Sequence, residues 1–311
     1  MEILDRIDAG RIRTLCARGE FFWLDLEAPS DEELAEVGQL LSLPPLAVED
    51  SREFRQRPKI DDYGDRLLIV FYGVPERGRM QVLEVHFHVS AGFVCTVHRA
   101  PSEALASVRG AHPRSPEDLI YRLLDSLSET FLTRLRAIEQ EVVALEERAF
   151  ERPTGAEHRR ITELRGRLFR LRQIVEPQRD MLAAGGALLE HLPGLEHDEA
   201  RHPFRDVHDD LVLAAGLIAY CREILGEALT VYLQSTSNRL NEIATRLTLL
   251  ASIVVPLTLV TGFFGQNFGW LIGQVDTLRT FLIWGIGGMV VPVIVIVVLL
   301  RRAGYLGGGE Q

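Results

Sequence analysis

Apolar and polar positions alternate in short runs along the first third of the chain. Four of them, Phe21–Leu26, Arg66–Tyr72, Gln81–Val89 and Phe93–Val97, read as β-strands, with turn signals at Pro75, Gly78 and Ala91-Gly92 between the later ones. Ser30-Asp31-Glu32-Glu33 carries the pattern of a helix capping box. Residues 1–115 are therefore predicted to form an α+β unit, a small sheet with flanking helices. From Pro116 the period lengthens to that of a helix. Ile120, Leu124, Leu127, Phe131, Leu135, Ile138, Val142 and Leu145 fall on one stripe, and Ile161, Leu164, Leu168, Leu171 and Val175 on a second. Pro153-Thr154-Gly155 separates the two stripes, and the second ends near Pro193-Gly194. Residues 116–200 are thus predicted as two long antiparallel amphipathic helices.

A third helix is expected to begin between Arg201 and Asp206, with Pro203 tolerated in its first turn. No breaker follows until Pro256, so residues 201–246 read as a stalk. Residues 247–311 read as a transmembrane hairpin. Leu247–Phe264 gives 18 residues without a charge and Phe281–Leu300 gives 20, each long enough to cross a bilayer. The loop between them, residues 265–280, has only Asp276 and Arg279 as charges. Arg239 and Arg246 precede the first span and Arg301-Arg302 follow the second. By the positive-inside rule both termini are expected in the cytoplasm of a multi-pass cell-membrane protein.

Composition narrows the field. The net charge is −10, with 44 acidic against 34 basic residues, which argues against a nucleic-acid partner. Three scattered cysteines, Cys16, Cys95 and Cys221, make neither a disulfide framework nor a metal-site spacing. Met1–Glu20 has no apolar core, so no signal peptide is expected.

The first span is not uniformly apolar. At a period of about 3.5, Asn241, Thr248, Val255 and Gly262 share one azimuth, and Ser252 and Thr258 lie about 50° to either side. Small and hydroxyl residues in such a stripe serve close helix packing. They serve equally a water-lined pathway in a closed ring of subunits, since two helices cannot enclose a pore.

The end of that span reads Thr261-Gly262-Phe263-Phe264-Gly265-Gln266-Asn267-Phe268, and the stalk before it reads Asn238-Arg239-Leu240-Asn241-Glu242. This resembles the CorA family of divalent metal-ion transporters, whose mark is Gly-Met-Asn at the outer end of the first span. The likeness extends through Pro256-Leu257-Thr258 and back to Phe204-Arg205-Asp206-Val207, and the order of segments matches over essentially the whole chain.

The resemblance implies a funnel-shaped homopentamer in the lipid membrane, carrying Mg2+, and also Co2+ and Ni2+, through a central pore. It implies that Gly265, Gln266 and Asn267 form the selectivity filter. Asn241, Leu247, Thr248, Ser252, Val255, Thr258 and Gly262 would line the pore, with Leu247 as an apolar constriction. A ring of Asn267 amides can recognise hydrated Mg2+, which sheds water reluctantly. Asp206, with Asp209 and Asp210 nearby, matches a position that binds a regulatory cation between subunits, so that cytoplasmic cation binding gates the pore. Asp61 and Glu76 are guesses for its partner carboxylate. No resident cofactor is implied beyond Mg2+ as substrate and regulatory ligand.

Two departures bear on the substrate. Gln266 stands where the family has methionine, and the segment after Phe268 lacks the family's acidic loop. Zn2+ transport of the ZntB type, with proton coupling, is the alternative, although neither span holds an ionisable residue. A membrane-anchored sensor that transports nothing is a further one, and it leaves the polar stripe without a purpose. Enzymatic chemistry is not expected, for the chain has no nucleophile elbow, phosphate loop or zinc-ligand repeat. Glu84, His86 and His88 share one face of a predicted strand, which is expected to be surface.

Overall fold

The computed structural model describes residues 1–311 except 76–81, 112, 114, 152–154, 190–200, 267–268, 275–276 and 303–311. The chain divides into two compact units, Met1–Tyr232 and Leu233–Gln311.

The first unit is built on a six-stranded sheet. Its strands are β1 (Glu2–Leu4), β2 (Phe22–Glu27), β3 (Lys59–Asp62), β4 (Leu67–Gly73), β5 (Leu83–Ser90) and β6 (Phe93–His98), in the order β1-β2-β6-β5-β4-β3. β1, β2 and β6 run parallel, and β6, β5, β4 and β3 antiparallel. Both faces are covered. α1 (Ala9–Arg18), α2 (Asp31–Leu40) and α3 (Pro45–Glu53) lie on one, where Ile12, Leu15, Leu34 and Val37 bury Phe22, Leu24, Cys95 and Val97. The other carries α4 (Glu103–Arg109), α5 (Pro116–Glu151) and α6 (Gly155–Leu189), over Trp23, Val85, Phe87 and Val94. The capping box at Ser30 and Glu33 is formed and starts α2.

The apolar stripes of α5 and α6 are buried along their length, and α7 (Arg201–Phe264) completes the core with Val207, Leu211, Ala214, Ile218, Cys221, Leu225 and Ala228. α6 is fastened to α7 near its start, where the His158 ring stacks on Tyr232 of α7 at 5.1 Å. Two contacts tie the helices to the sheet. Gln178 of α6 is fully buried; its amide accepts from Tyr72 N–H and donates to Tyr72 C=O at 3.5 Å, pairing the edge of β4 beyond the end of β3. Gly73 lies against α5 so closely that a Cβ there would stand 2.7 Å from Leu127 Cδ2.

In the second unit α7 runs through Pro256 without ending. Proline has no N–H, so the carbonyl of Ser252 loses its usual helical partner. Helical turns continue in the segment 265–280 at α8 (Gly269–Gln274) and α9 (Leu278–Thr280). A π-helical turn at Phe281–Ile286 leads into α10 (Gly287–Arg302). Two stretches, Phe204–Phe263 and Leu278–Arg302, are long and apolar enough to cross a membrane.

Candidate ion pathway and acidic cluster

Asn241, Leu247, Thr248, Ser252, Val255, Thr258 and Gly262 all lie on the unbroken helix α7, and all but Leu247, which is about 100° round the helix, have the spacings of one stripe. Each hydroxyl along this stretch is turned back on its own helix. Thr248 Oγ1 donates to Ala244 O at 2.9 Å, Ser252 Oγ to Thr248 O at 2.7 Å, and Thr258 Oγ1 to Val254 O at 2.8 Å. Thr245 and Thr261 do the same to Asn241 and Leu257. With its proton committed, each oxygen keeps lone pairs for a partner outside the helix. The stripe therefore offers hydrogen-bond acceptors in a wall that is otherwise hydrocarbon.

At the end of α7, Gly265 N–H bonds to Thr261 O at 2.9 Å and Gln266 N–H to Phe263 O at 3.3 Å. A Cβ on Gly265 would meet Thr261 O at 3.0 Å, so this tight exit suits glycine. Gln266 is exposed. Asn267 lies outside the described residues, as does Glu76.

On the first unit, Asp206 and Asp210 near the start of α7 face α5. Asp210 accepts from Ser128 Oγ at 3.4 Å. Burial raises the Asp125 carboxyl above its ordinary value, and repulsion from Asp210, Glu129 and Asp206 raises it further. Asp210 is raised by burial and by Glu129 and Asp206, against the lowering effect of the Ser128 bond. Four carboxylates thus crowd one seam, which a hard cation or a proton would relieve. Asp125 and Glu129 are members that sequence reasoning did not name. Asp209 turns elsewhere and lies 3.4 Å from His208 Nδ1. Among the described residues of one chain, no three carboxylate, imidazole or thiol groups stand close enough to hold a metal ion. Asp61 is engaged by Lys59 at 2.6 Å, and Lys59 also holds Asp50 at 2.7 Å.

The strand histidines correct an expectation. His86 and His88 are not on the surface but are 0% and 3% exposed, beneath α3. Ser51 of α3 places its Oγ 3.0 Å from His86 Nδ1 and 2.9 Å from His88 Nε2. His86 Nε2 meets Glu84 Oε1 at 2.9 Å, and the same carboxylate accepts from the backbone N–H of Arg55 and of Gln56. Burial, with the neighbouring His86, pushes His88 down to about 3, which keeps it neutral. The group is a structural tie between helix and sheet. Sequence could not foresee it, because the residue that buries the pair, Ser51, is remote in the chain.

Known proteins share this fold. The model of the CorA-like Mg2+ transporter protein family matches residues 18–302. The chain belongs to this family. The cobalt/magnesium transport protein CorA of Thermotoga maritima is 30% identical over 249 residues, which cover 76% of this chain and 69% of that one. The complete structure of the CorA magnesium transporter from Methanocaldococcus jannaschii superposes with a TM-score of 0.80 at 21% identity, covering 91% of each chain. The ZntB cytoplasmic domain from Vibrio parahaemolyticus has the same fold over 70% of this chain and 88% of its own, with a TM-score of 0.58 and 14% identity. The CorA-like architecture of an α+β domain, long helices and a two-helix membrane segment is thereby shared, and the chain is a membrane protein.

Proposed function

We propose that this CorA-like chain moves divalent metal cations across the cell membrane, Mg2+ first and Co2+ and Ni2+ with it, through a central pore lined by α7. The observation that carries this reading is the stripe of pinned hydroxyls on α7. A hydrated cation presents water protons outward, and acceptor oxygens on the wall can bind that shell without stripping it. Assembly is part of the proposal, because the pathway exists only where several copies of α7 surround it. Five copies are expected from the family likeness, with Leu247 as the constriction and Gly265, Gln266 and Asn267 at the outer mouth. Arginines at 239, 246, 301 and 302 favour both termini in the cytoplasm.

The crowded carboxylates suggest the control. A cation shared between Asp206, Asp210 and a neighbouring subunit would neutralise the seam and hold the pore shut, and its loss would open the pore. Gln266 in place of methionine keeps Zn2+ as the rival substrate.

Flux into liposomes holding the purified protein tests this, comparing Mg2+, Co2+, Ni2+ and Zn2+. Mg2+ should enter, Asn267→Ala should lose most of that flux, and Asp206→Ala should escape inhibition by Mg2+ on the cytoplasmic side. Flux of Zn2+ alone would move the assignment to the ZntB type. A protein sealed to all four would leave the anchored sensor.

A further inference from the structure

A second buried polar network, on the α4 face of the sheet, has a direction that donor and acceptor chemistry determine. Trp23 Nε1–H can only donate, and it donates to Thr96 Oγ1 at 2.9 Å. Thr96 therefore gives its own proton to Asp25 Oδ1 at 2.5 Å. Arg109 of α4 donates to Asp25 Oδ2. Both oxygens of Asp25 receive, so the group is a carboxylate although it is only 3% exposed. His98, also 3% exposed, places Nε2 at 3.1 Å from Asp25 Oδ1 and Nδ1 at 2.7 Å from the carbonyl oxygen of Ala100. Neither of those atoms can donate, so each ring nitrogen must carry a proton.

We propose that His98 is held as an imidazolium and works as a latch on the turn joining β6 to α4, which releases when rising pH removes one of its two protons. A neutral imidazole has a single N–H. It can keep Asp25 or the Ala100 carbonyl but not both, and the other acceptor then faces the lone pair of a bare ring nitrogen.

The charged groups facing His98 favour the cation. Asp25 and Glu27 come from β2, while Arg109 from α4 is the opposing positive charge, drawn off onto Asp25 Oδ2. Burial works against the imidazolium, but the bond and attraction of Asp25 and the Ala100 carbonyl outweigh it, so its pKa lies above the ordinary value. The Ser51 network cannot act this way. Its hydroxyl can donate to one imidazole and accept from the other, and neither ring is forced to be charged.

The latch has somewhere to lead. Ala104 of α4 accepts from Ser126 Oγ of α5 at 3.0 Å, and Ser126 adjoins Asp125 of the acidic seam. Alkalinity would in this way reach α5, which forms one side of the acidic seam where the proposed cation control sits.

Hydrogen exchange of the full-length protein between about pH 6 and 9, corrected for intrinsic rate, decides the matter. Opening of the segment 99–106 should grow up to about tenfold per pH unit above the ordinary histidine value of about 6.5, then level off at the raised one. β4 is the internal reference and should stay flat. In His98→Gln the segment should be open at every pH, and in Asp25→Asn the rise should move to lower pH. A segment equally protected across the range, or a rise of the same size in His98→Gln, overturns the proposal. Should either variant fail to fold, the parent's own profile still decides.

Discussion

At the scale of single residues, the first unit depends on polar groups buried with their partners in place. Gln178 shows the cost of losing one. Its amide substitutes for a neighbouring strand at Tyr72, beyond the Lys59 end of β3. Gln178→Leu keeps the volume roughly but strands a buried N–H and C=O. The expected loss is about 1–3 kcal/mol in a denaturant titration, since an unmade buried hydrogen bond costs the desolvation of its group. An unchanged midpoint would mean that Tyr72 finds water or another partner. Lys59, the chain's one lysine, is a milder case, since its partners Asp50 and Asp61 are still partly wet.

At the scale of elements, the joint between α5 and the sheet is set by the absence of a side chain at Gly73. Leu127 is fully buried and has no room to withdraw. Gly73→Ala should destabilise by about 1–3 kcal/mol through overpacking. Leu127→Ala should cost less in that background than in the parent, a coupling that a double-mutant cycle reads directly. Additive effects would show that the two do not touch.

The long elements were legible because their apolar residues repeat at the helical period with the partner stripe also in sequence, as Leu164, Leu168 and Leu171 show beside Leu135, Ile138 and Val142. The four interior strands and the Ser30 cap were legible for the same local reason. β1 and β3, of three and four residues, carry too little pattern to be read. Period-two alternation also loses its meaning where both faces of a sheet are covered. His86 and His88 therefore looked like surface positions until α3 was placed over them. Asp125 escaped notice because nothing local distinguishes it, and only the packing of α7 on α5 makes it a neighbour of Asp210.

At the scale of the whole molecule, two sets of carboxylates, one bonded within the sheet and one half-buried at the seam of α5 and α7, pull stability in opposite directions with pH. Burial tends to raise Asp25 and Glu84, but the hydrogen bonds they receive outweigh it, from His98 and Thr96 on Asp25 and from His86 and two backbone amides on Glu84. Their folded pKa values are depressed, so their contribution is present above the unfolded value and is lost as pH falls through the folded one. Asp125 and Asp210 are raised, and theirs is complete below about 3.9 and is lost as pH rises through the raised value. Without divalent cations at neutral pH, the seam is therefore a destabilising feature. Asp210→Asn should raise the thermal midpoint in chelator and lessen the gain that Mg2+ brings. A cation at a hundred times its Kd adds about 2.7 kcal/mol to a protein that binds it only when folded. An equal gain in parent and variant would place the cation elsewhere.

The pinned hydroxyls of α7 carry one more consequence. Relay of H+ from oxygen to oxygen requires each O–H to swing between neighbours, handing one proton on while taking up the next. Thr248, Ser252, Thr258 and Thr261 instead have theirs clamped to carbonyls of the preceding turn. To serve as a Grotthuss wire the helix would have to break those bonds one after another inside an apolar wall. The wall hydroxyls by themselves are therefore no proton wire, and H+ crossing by the proposed pathway would have to travel through its water.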